Sequence, residues 1–309
     1  MFQSFKVTSR PEQGPPRLAD LRVELARESL DGFLIPRADA HQGEYVSARD
    51  ERLSWLTGFT GSAGFCAALI DIAGVFIDGR YRTQVKTQVA SDFTPVAWPE
   101  VSLAEWLIEH LPEGGKIGFD PWLHTVAQIE QARDALAGSD IELIGCDNLI
   151  DRIWADQPQP AMLPASAHPL EFAGEAHTDK CNRLAAALAK ADQSAAVITL
   201  PDSVCWLLNI RGADIPRNPI AQGFAVLNAD ASVDLFVQPS KLKGLEGHLG
   251  DHVRIHQPSE FLAFVSSLTG AVRLDKTSVP VIVADALGDV AVWGDDPCAL
   301  PKACKNAAE

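Results

Sequence analysis

The residues best placed to do chemistry are Asp78-Gly79-Arg80, which end a strand-like run. An Asp-Gly turn straight after a strand gives the arginine a stiff base, and a guanidinium there is a fork of donors matched to a peptide carbonyl or a carboxylate. The competing reading is a structural arginine, paired with Asp78 or with an interdomain carboxylate. His248, His252 and His256 fall four apart with Glu246 nearby, a spacing that would align three zinc ligands on a helix. Gly250 interrupts that helix and Val253-Arg254-Ile255-His256 alternates like a strand, so the imidazoles are expected to scatter and no metal is assigned. Ser62, in Thr60-Gly61-Ser62-Ala63-Gly64, sits one residue off a nucleophile elbow. The elbow needs a helix after the serine, and here a strand-like run follows, which disfavours a serine hydrolase. Gly58-Phe59-Thr60-Gly61 lacks the spacing and the lysine of a phosphate loop. The six cysteines are scattered without a C-x-x-C pair, which fits buried reduced thiols. Cys298 and Cys304 have Pro301 between them and no histidine beside them.

The stretch that must position Arg80 is Glu51–Gln84. An apolar segment around Trp55 and Leu56 leads into a loop with Gly58, Gly61 and Gly64, then into strand-like runs Phe65–Ile70 and Gly74–Ile77. Around it, the apolar spacing predicts helices over Arg17–Leu30, Leu103–Leu111, Thr125–Leu136 and Leu149–Trp154. Strands are expected at Phe33–Ile35, Thr94–Trp98, Lys116–Phe119 and Ile141–Ile144. Residues 156–174 hold four prolines and read as a stiff linker. Beyond it, helices over Thr178–Ala191 and Phe261–Leu268 alternate with strands Ala195–Leu200, Ala225–Leu227, Val233–Val237 and Val279–Val283. This rhythm indicates an α/β fold. The isolated His41, His110, His124, His168 and His177 read as surface or loop residues.

The two halves repeat one another. Arg17-Leu18-Ala19 corresponds to Arg183-Leu184-Ala185, Gly32–Pro36 to Val197–Pro201, and Leu53-Ser54-Trp55-Leu56 to Val204-Cys205-Trp206-Leu207. A glycine-bearing loop follows each tryptophan, and each loop leads into strand–turn–strand. The matched tryptophans read as core anchors. The Asp-Gly-Arg ending has no counterpart; Gln238-Pro239-Ser240 stands in its place.

At 309 residues the chain is long enough for two domains, expected as 1–160 and 161–309. A net charge of −15 argues against nucleic acid as a partner. The N-terminal residues lack the apolar core of a secretory signal and no apolar run is long enough to span a bilayer. A cytoplasmic protein away from membranes is the default expectation.

ERLSWLTGFTGSAG with IDGRY, followed by WLLNIRGADIPRNP, resembles the N-terminal region of the large Xaa-Pro aminopeptidases of the pita-bread superfamily. The resemblance covers essentially the whole chain. It implies two similar creatinase N-terminal domains, ribonuclease H-like, each a mixed sheet flanked by helices. It also implies that the family's metal ligands lie in a catalytic domain absent from this chain, so that this truncated piece holds no cofactor and is inactive alone. The parent would be a metallo-aminopeptidase with two manganese ions, cutting peptides with proline at the second position. The piece would shape substrate access, contact its own catalytic domain and join a homodimer. Arg80 matches the family arginine placed near substrate. Arg217 receives no role; Ala221-Gln222-Gly223 and Gln157-Pro158 depart from the family pattern. The alternatives are a stand-alone binding module and a fragment of a creatinase-like amidinohydrolase.

Overall fold

The structure is a computed structural model that describes residues 7–309. It divides into two compact units. The first holds residues 7–38, Ala48–His124 and Gln128–Gln159; the second holds Pro160–Glu309 together with Asp39–Ser47 and Thr125–Ala127.

In the first unit, β1 (Gly32–Pro36), β2 (Gly64–Leu69), β3 (Ala73–Ile77), β4 (Thr94–Ala97), β5 (Gly115–Phe119) and β6 (Ile141–Gly145) form one sheet in the order β4-β3-β2-β1-β5-β6. β2 runs antiparallel to both β1 and β3, while β3–β4, β1–β5 and β5–β6 are parallel pairs. Five strands therefore share one direction and end on one edge of the sheet. The strands are nearly all apolar because both faces are covered. The helix Gly14–Glu28 lays Leu18, Leu21 and Leu25 on one face, and all three are buried with Leu53, Leu56, Phe59 and Val75. Each such leucine contributes about 1.5–3 kcal/mol of burial. That helix stops at Ser29 in the left-handed conformation. The helix Leu103–His110 starts on a reciprocal Ser102/Glu105 capping box. It carries Trp106 edge-on against Phe76 on the opposite face. Arg52 donates both Nε and Nη2 to Asp151 (2.7 and 2.9 Å) and Nη1 to Asp50 (2.9 Å), tying the helix Arg52–Thr57 to the helix Leu149–Ile153.

In the second unit, a ribbon of β7 (Ser166–Ala167) and β9 (Ile210–Arg211) accompanies a six-stranded sheet. The sheet comprises β8 (Ala195–Ile198), β10 (Phe224–Asn228), β11 (Val233–Phe236), β12 (Val253–His256), β13 (Val272–Leu274) and β14 (Ala291–Trp293). Its order, β12-β11-β10-β8-β13-β14, repeats the first sheet strand for strand, as do the parallel and antiparallel senses. Phe65 faces Phe76 in the first sheet and Phe224 faces Phe236 in the second. The same register matches Ile35 with Ile198, so the first strands correspond two residues away from the alignment of Gly32–Pro36 with Val197–Pro201.

Two expectations are corrected, and a third is extended. Val279–Val283 is not a strand: Pro280 caps a helix, Val281–Leu287, and the strands on either side are three-residue β13 and β14. The proline-rich stretch, expected as a stiff linker, also contributes β7 and the short helix Leu170–Ala173. His177, expected on the surface or in a loop, is buried at the start of the helix His177–Lys190, while His124 lies in a loop but is buried there.

Candidate functional site

Asp78 follows directly on β3 and caps the single turn of 3-10 helix Gly79–Tyr81. Its carboxylate accepts from the Arg80 backbone N–H (2.8 Å), from Nε (3.0 Å) and from Nη2 (2.6 Å). The side chain of Arg80 stays 65% exposed while doing so. Hydrogen bonding to the guanidinium holds the Asp78 carboxyl below the usual carboxylate range. The guanidinium lies over the Tyr81 ring at 5.2 Å. Tyr81 is itself fixed, edge-on to buried Phe59 and with its hydroxyl 2.6 Å from Ser62 Oγ; that hydrogen bond lowers the phenol pKa. Arg37, just past β1, donates to the Ser62 carbonyl at 3.2 Å. Arg80 is thus an exposed cation on a braced turn, at the edge where the parallel strands end. That edge is where ligands meet open α/β sheets.

The glycine loop is scaffold for this turn. Gly58 ends its helix at φ +84°, and a Cβ there would stand 2.4 Å from the Gln88 carbonyl. Gly64 passes so close to β3 that a Cβ would meet the Phe76 carbonyl at 2.6 Å. Gln88 then braces the loop, accepting from the Thr60 N–H (2.9 Å) and donating to its hydroxyl (2.8 Å). Ser62 is engaged by Tyr81 and precedes a strand, an arrangement unlike a nucleophile elbow.

The second unit treats the corresponding turn differently. Gln238 caps the 3-10 turn Pro239–Leu242, which puts Ser240 in the place of Arg80 and Lys241 in that of Tyr81. Lys241 is buried and bonded to buried Asp214 at 2.8 Å. The cation there is neutralised inside the fold. The comparison separates what the scaffold needs from what the first unit adds.

The three spaced histidines do not converge. His248 lies on the short helix Glu246–Leu249, and its Nε2 is 2.9 Å from the Leu208 carbonyl oxygen. His256 lies on β12 and contacts Asp234 at 2.8 Å. His177 joins His248 and His252 instead, stacking on the His252 ring at 5.1 Å. Among the described residues no group of three or more His, Cys, Asp or Glu is arranged to hold a metal ion. The sequence reading overlooked Tyr81 and Arg37 as supports for Arg80. Tyr81 adjoins Arg80 in the same motif, whereas Arg37 reaches Ser62 only through the fold.

Residues 17–153 and residues 156–309 each match a Creatinase/Prolidase N-terminal domain family. The "Probable Xaa-Pro aminopeptidase P" of Coccidioides posadasii is 31% identical over 323 residues, covering 99% of this chain and 50% of the relative. Aminopeptidase P1 of Arabidopsis thaliana is 32% identical over 296 residues, covering 93% of this chain and 46% of the relative. The crystal structure of X-prolyl aminopeptidase from Caenorhabditis elegans, described as a cytosolic enzyme with a di-nuclear active site, has a TM-score of 0.89 at 28% identity. It covers 96% of this chain and 52% of that one. The chain spans about half the length of the relatives it matches. It belongs to the Creatinase/Prolidase N-terminal domain family and carries that domain twice over.

Proposed function

We propose that this chain is the non-catalytic, N-terminal two-domain part of an Xaa-Pro aminopeptidase. The parent enzyme removes an N-terminal residue that precedes proline, using a water activated by two manganese ions that residues outside this chain would hold. The side chains described here do not fit a two-metal centre, since none of their His, Cys, Asp and Glu groups forms a ligand set. The task of the two units is to limit entry to the active site, to pack with their own catalytic domain in a homodimer, and to present Arg80 to the peptide. The enzyme works in the cytoplasm, like the relative described as cytosolic. Among the described residues no helix is long and apolar enough to cross a membrane.

The observation that carries this reading is the contrast at the two equivalent turns. Arg80 is exposed on a braced base, whereas its neighbourhood in the second unit holds a buried, neutralised lysine. The names of the relatives supply the substrate class. The test compares this chain with its longer parent, each with manganese and Ala-Pro-Ala. Turnover is expected from the parent and none from the chain; release of alanine by the chain alone refutes the reading.

A further inference from the structure

The histidine spacing that fails as a metal site leaves a different cluster in the second unit. His177 opens the helix His177–Lys190 and is buried. Its Nε2 lies 2.8 Å from the His248 carbonyl oxygen. Its ring centre is 4.9 Å from that of His248 and 5.1 Å from that of His252, nearly parallel to the latter. His248 in turn places its own Nε2 2.9 Å from the Leu208 carbonyl oxygen, at the end of the helix Pro201–Leu207. Carbonyl oxygens only accept, so each of these Nε2 atoms carries the donated proton, and neutral His177 keeps a bare Nδ1. That Nδ1 and the Nε2 of His252 are buried with no hydrogen-bond partner among the described residues.

These contacts fasten one segment. Leu245 and Leu249 are buried in the core of the unit. The His252 carbonyl accepts from the Val233 N–H at 2.8 Å, where the pairing of β11 with the edge strand β12 begins. The surroundings of His177 are poor in negative charge. Facing it are His248 from the helix Glu246–Leu249, His252 from the turn before β12, and Lys180 from its own helix; the charge of each opposes a charge on His177. Lys180 is itself buried and bonded to neutral oxygens, the Trp206 carbonyl (3.0 Å) and Asn209 Oδ1 (2.8 Å). The carboxylates on the same elements do not compensate. Asp179, Glu246 and Asp251 are exposed, Glu175 is paired with Arg183, and Asp202 with Lys302. Burial and these like-charged neighbours hold the His177 imidazole below its ordinary 6.5.

We propose that His177, His248 and His252 form an acid-sensitive latch that holds the segment Leu245–His252 onto the helices His177–Lys190 and Pro201–Leu207. Above pH 6.5 His177 is neutral whether the segment is closed or open, and the latch stays shut. Below it, a proton on Nδ1 in the closed state would be a buried donor without an acceptor, beside rings and a lysine that repel it. The open segment lets the imidazole take that proton in water, so acid draws the equilibrium toward opening. Opening releases Leu245 and Leu249 from the core and loosens the start of β12. The latch belongs to the second unit and uses none of the residues assigned to peptide binding.

The test is hydrogen exchange of the 309-residue chain at pH 7, 6 and 5, with each rate divided by its intrinsic rate at that pH. Protection of residues 245–252 is expected to fall by up to about tenfold per pH unit below 6.5, while the helix Val281–Leu287 of the same unit keeps its protection. His177→Gln puts an amide that donates but does not titrate in place of the imidazole, and should remove the pH dependence. His252→Phe keeps a ring against His177 and should make the fall shallower. Should His177→Gln misfold by circular dichroism, NMR titration of the His177 ring in the wild type takes its place, with a midpoint expected to coincide with the loss of protection. Protection of 245–252 that is independent of pH overturns the latch, as does a fall that persists in full in His177→Gln. An equal fall across Val281–Leu287 overturns it too, because the whole unit would then be unfolding.

Discussion

If Arg80 is present for what it meets in solution, removing it should leave the fold almost untouched, whereas removing the buried lysine of the corresponding turn, Lys241, should not. The two turns supply a matched pair of perturbations. In Lys241→Met, the side chain that is bonded to Asp214 Oδ2 at 2.8 Å is lost from a site where that carboxylate is fully buried. Asp214 then keeps the Gln222 N–H at 2.7 Å on the same oxygen, and its other oxygen already has no partner. Stripping one partner from a buried ion pair costs about 3–5 kcal/mol. At about 2–4 °C per kcal/mol for a unit of this size, the unfolding midpoint should fall by about 6–20 °C. In Arg80→Ala, by contrast, the lost ion pair is exposed and screened, and the backbone N–H of residue 80 still reaches Asp78. The midpoint should stay essentially where it was. Scanning calorimetry of the 309-residue chain measures both. A loss in Arg80→Ala as large as that in Lys241→Met would refute the argument, because Arg80 would then be structural.

Three further outcomes follow from buried groups. His124 is buried, and desolvation depresses its imidazole to about 4 from 6.5. Above pH 6.5 both folded and unfolded chains hold it neutral; as pH falls from 6.5 to 4 only the unfolded chain gains the proton. The first unit should therefore lose about 1.4 kcal/mol per pH unit across that window. Denaturation of wild type and His124→Gln at pH 6.5, 5.5 and 4.5 checks this, with the slope expected to flatten in the variant. Burial raises the Cys181 thiol to about 12 and the Cys205 thiol to about 11, and Cys66 and Cys298 are buried as well, whereas Cys304 is exposed. Iodoacetamide should label Cys304 fastest, and Cys304→Ser should remove that fast phase from the mass spectrum; a persisting fast phase would show that another thiol is accessible. Gly58→Ala puts a Cβ at φ +84° against the Gln88 carbonyl and should cost about 1–3 kcal/mol in urea unfolding, and a neutral result would mean that the Thr60–Gln88 brace is loose.

Most of the fold was legible because its signals are local. Leu18, Leu21 and Leu25 mark their helix by spacing alone, and the paired runs around Gly64–Ile77 announce a hairpin. Val279–Val283 misled because β-branched residues favour strands on their own, while Pro280 sets a helix start that propensity does not weigh. β13 and β14 escaped notice because three residues carry too little periodicity, and Arg273 interrupts one of them. Burial of His177 arises from His248 and His252, about seventy residues on, which its neighbours in sequence cannot reveal. The site divides in the same way. Arg80 lies in a motif and was legible there; Arg37 reaches the Ser62 that holds Tyr81 only through the pairing of β1 with β2, a contact that no local pattern encodes.

The central claim is that Arg80 is presented to peptide substrate, and steady-state kinetics of the full-length parent on Ala-Pro-Ala test it most directly. A charge-assisted hydrogen bond from an exposed guanidinium corresponds to about a tenfold change. Arg80→Ala should therefore raise KM about tenfold with kcat little changed, and Arg80→Lys should recover part of the loss. Kinetic constants for Arg80→Ala equal to those of the wild type would contradict the claim.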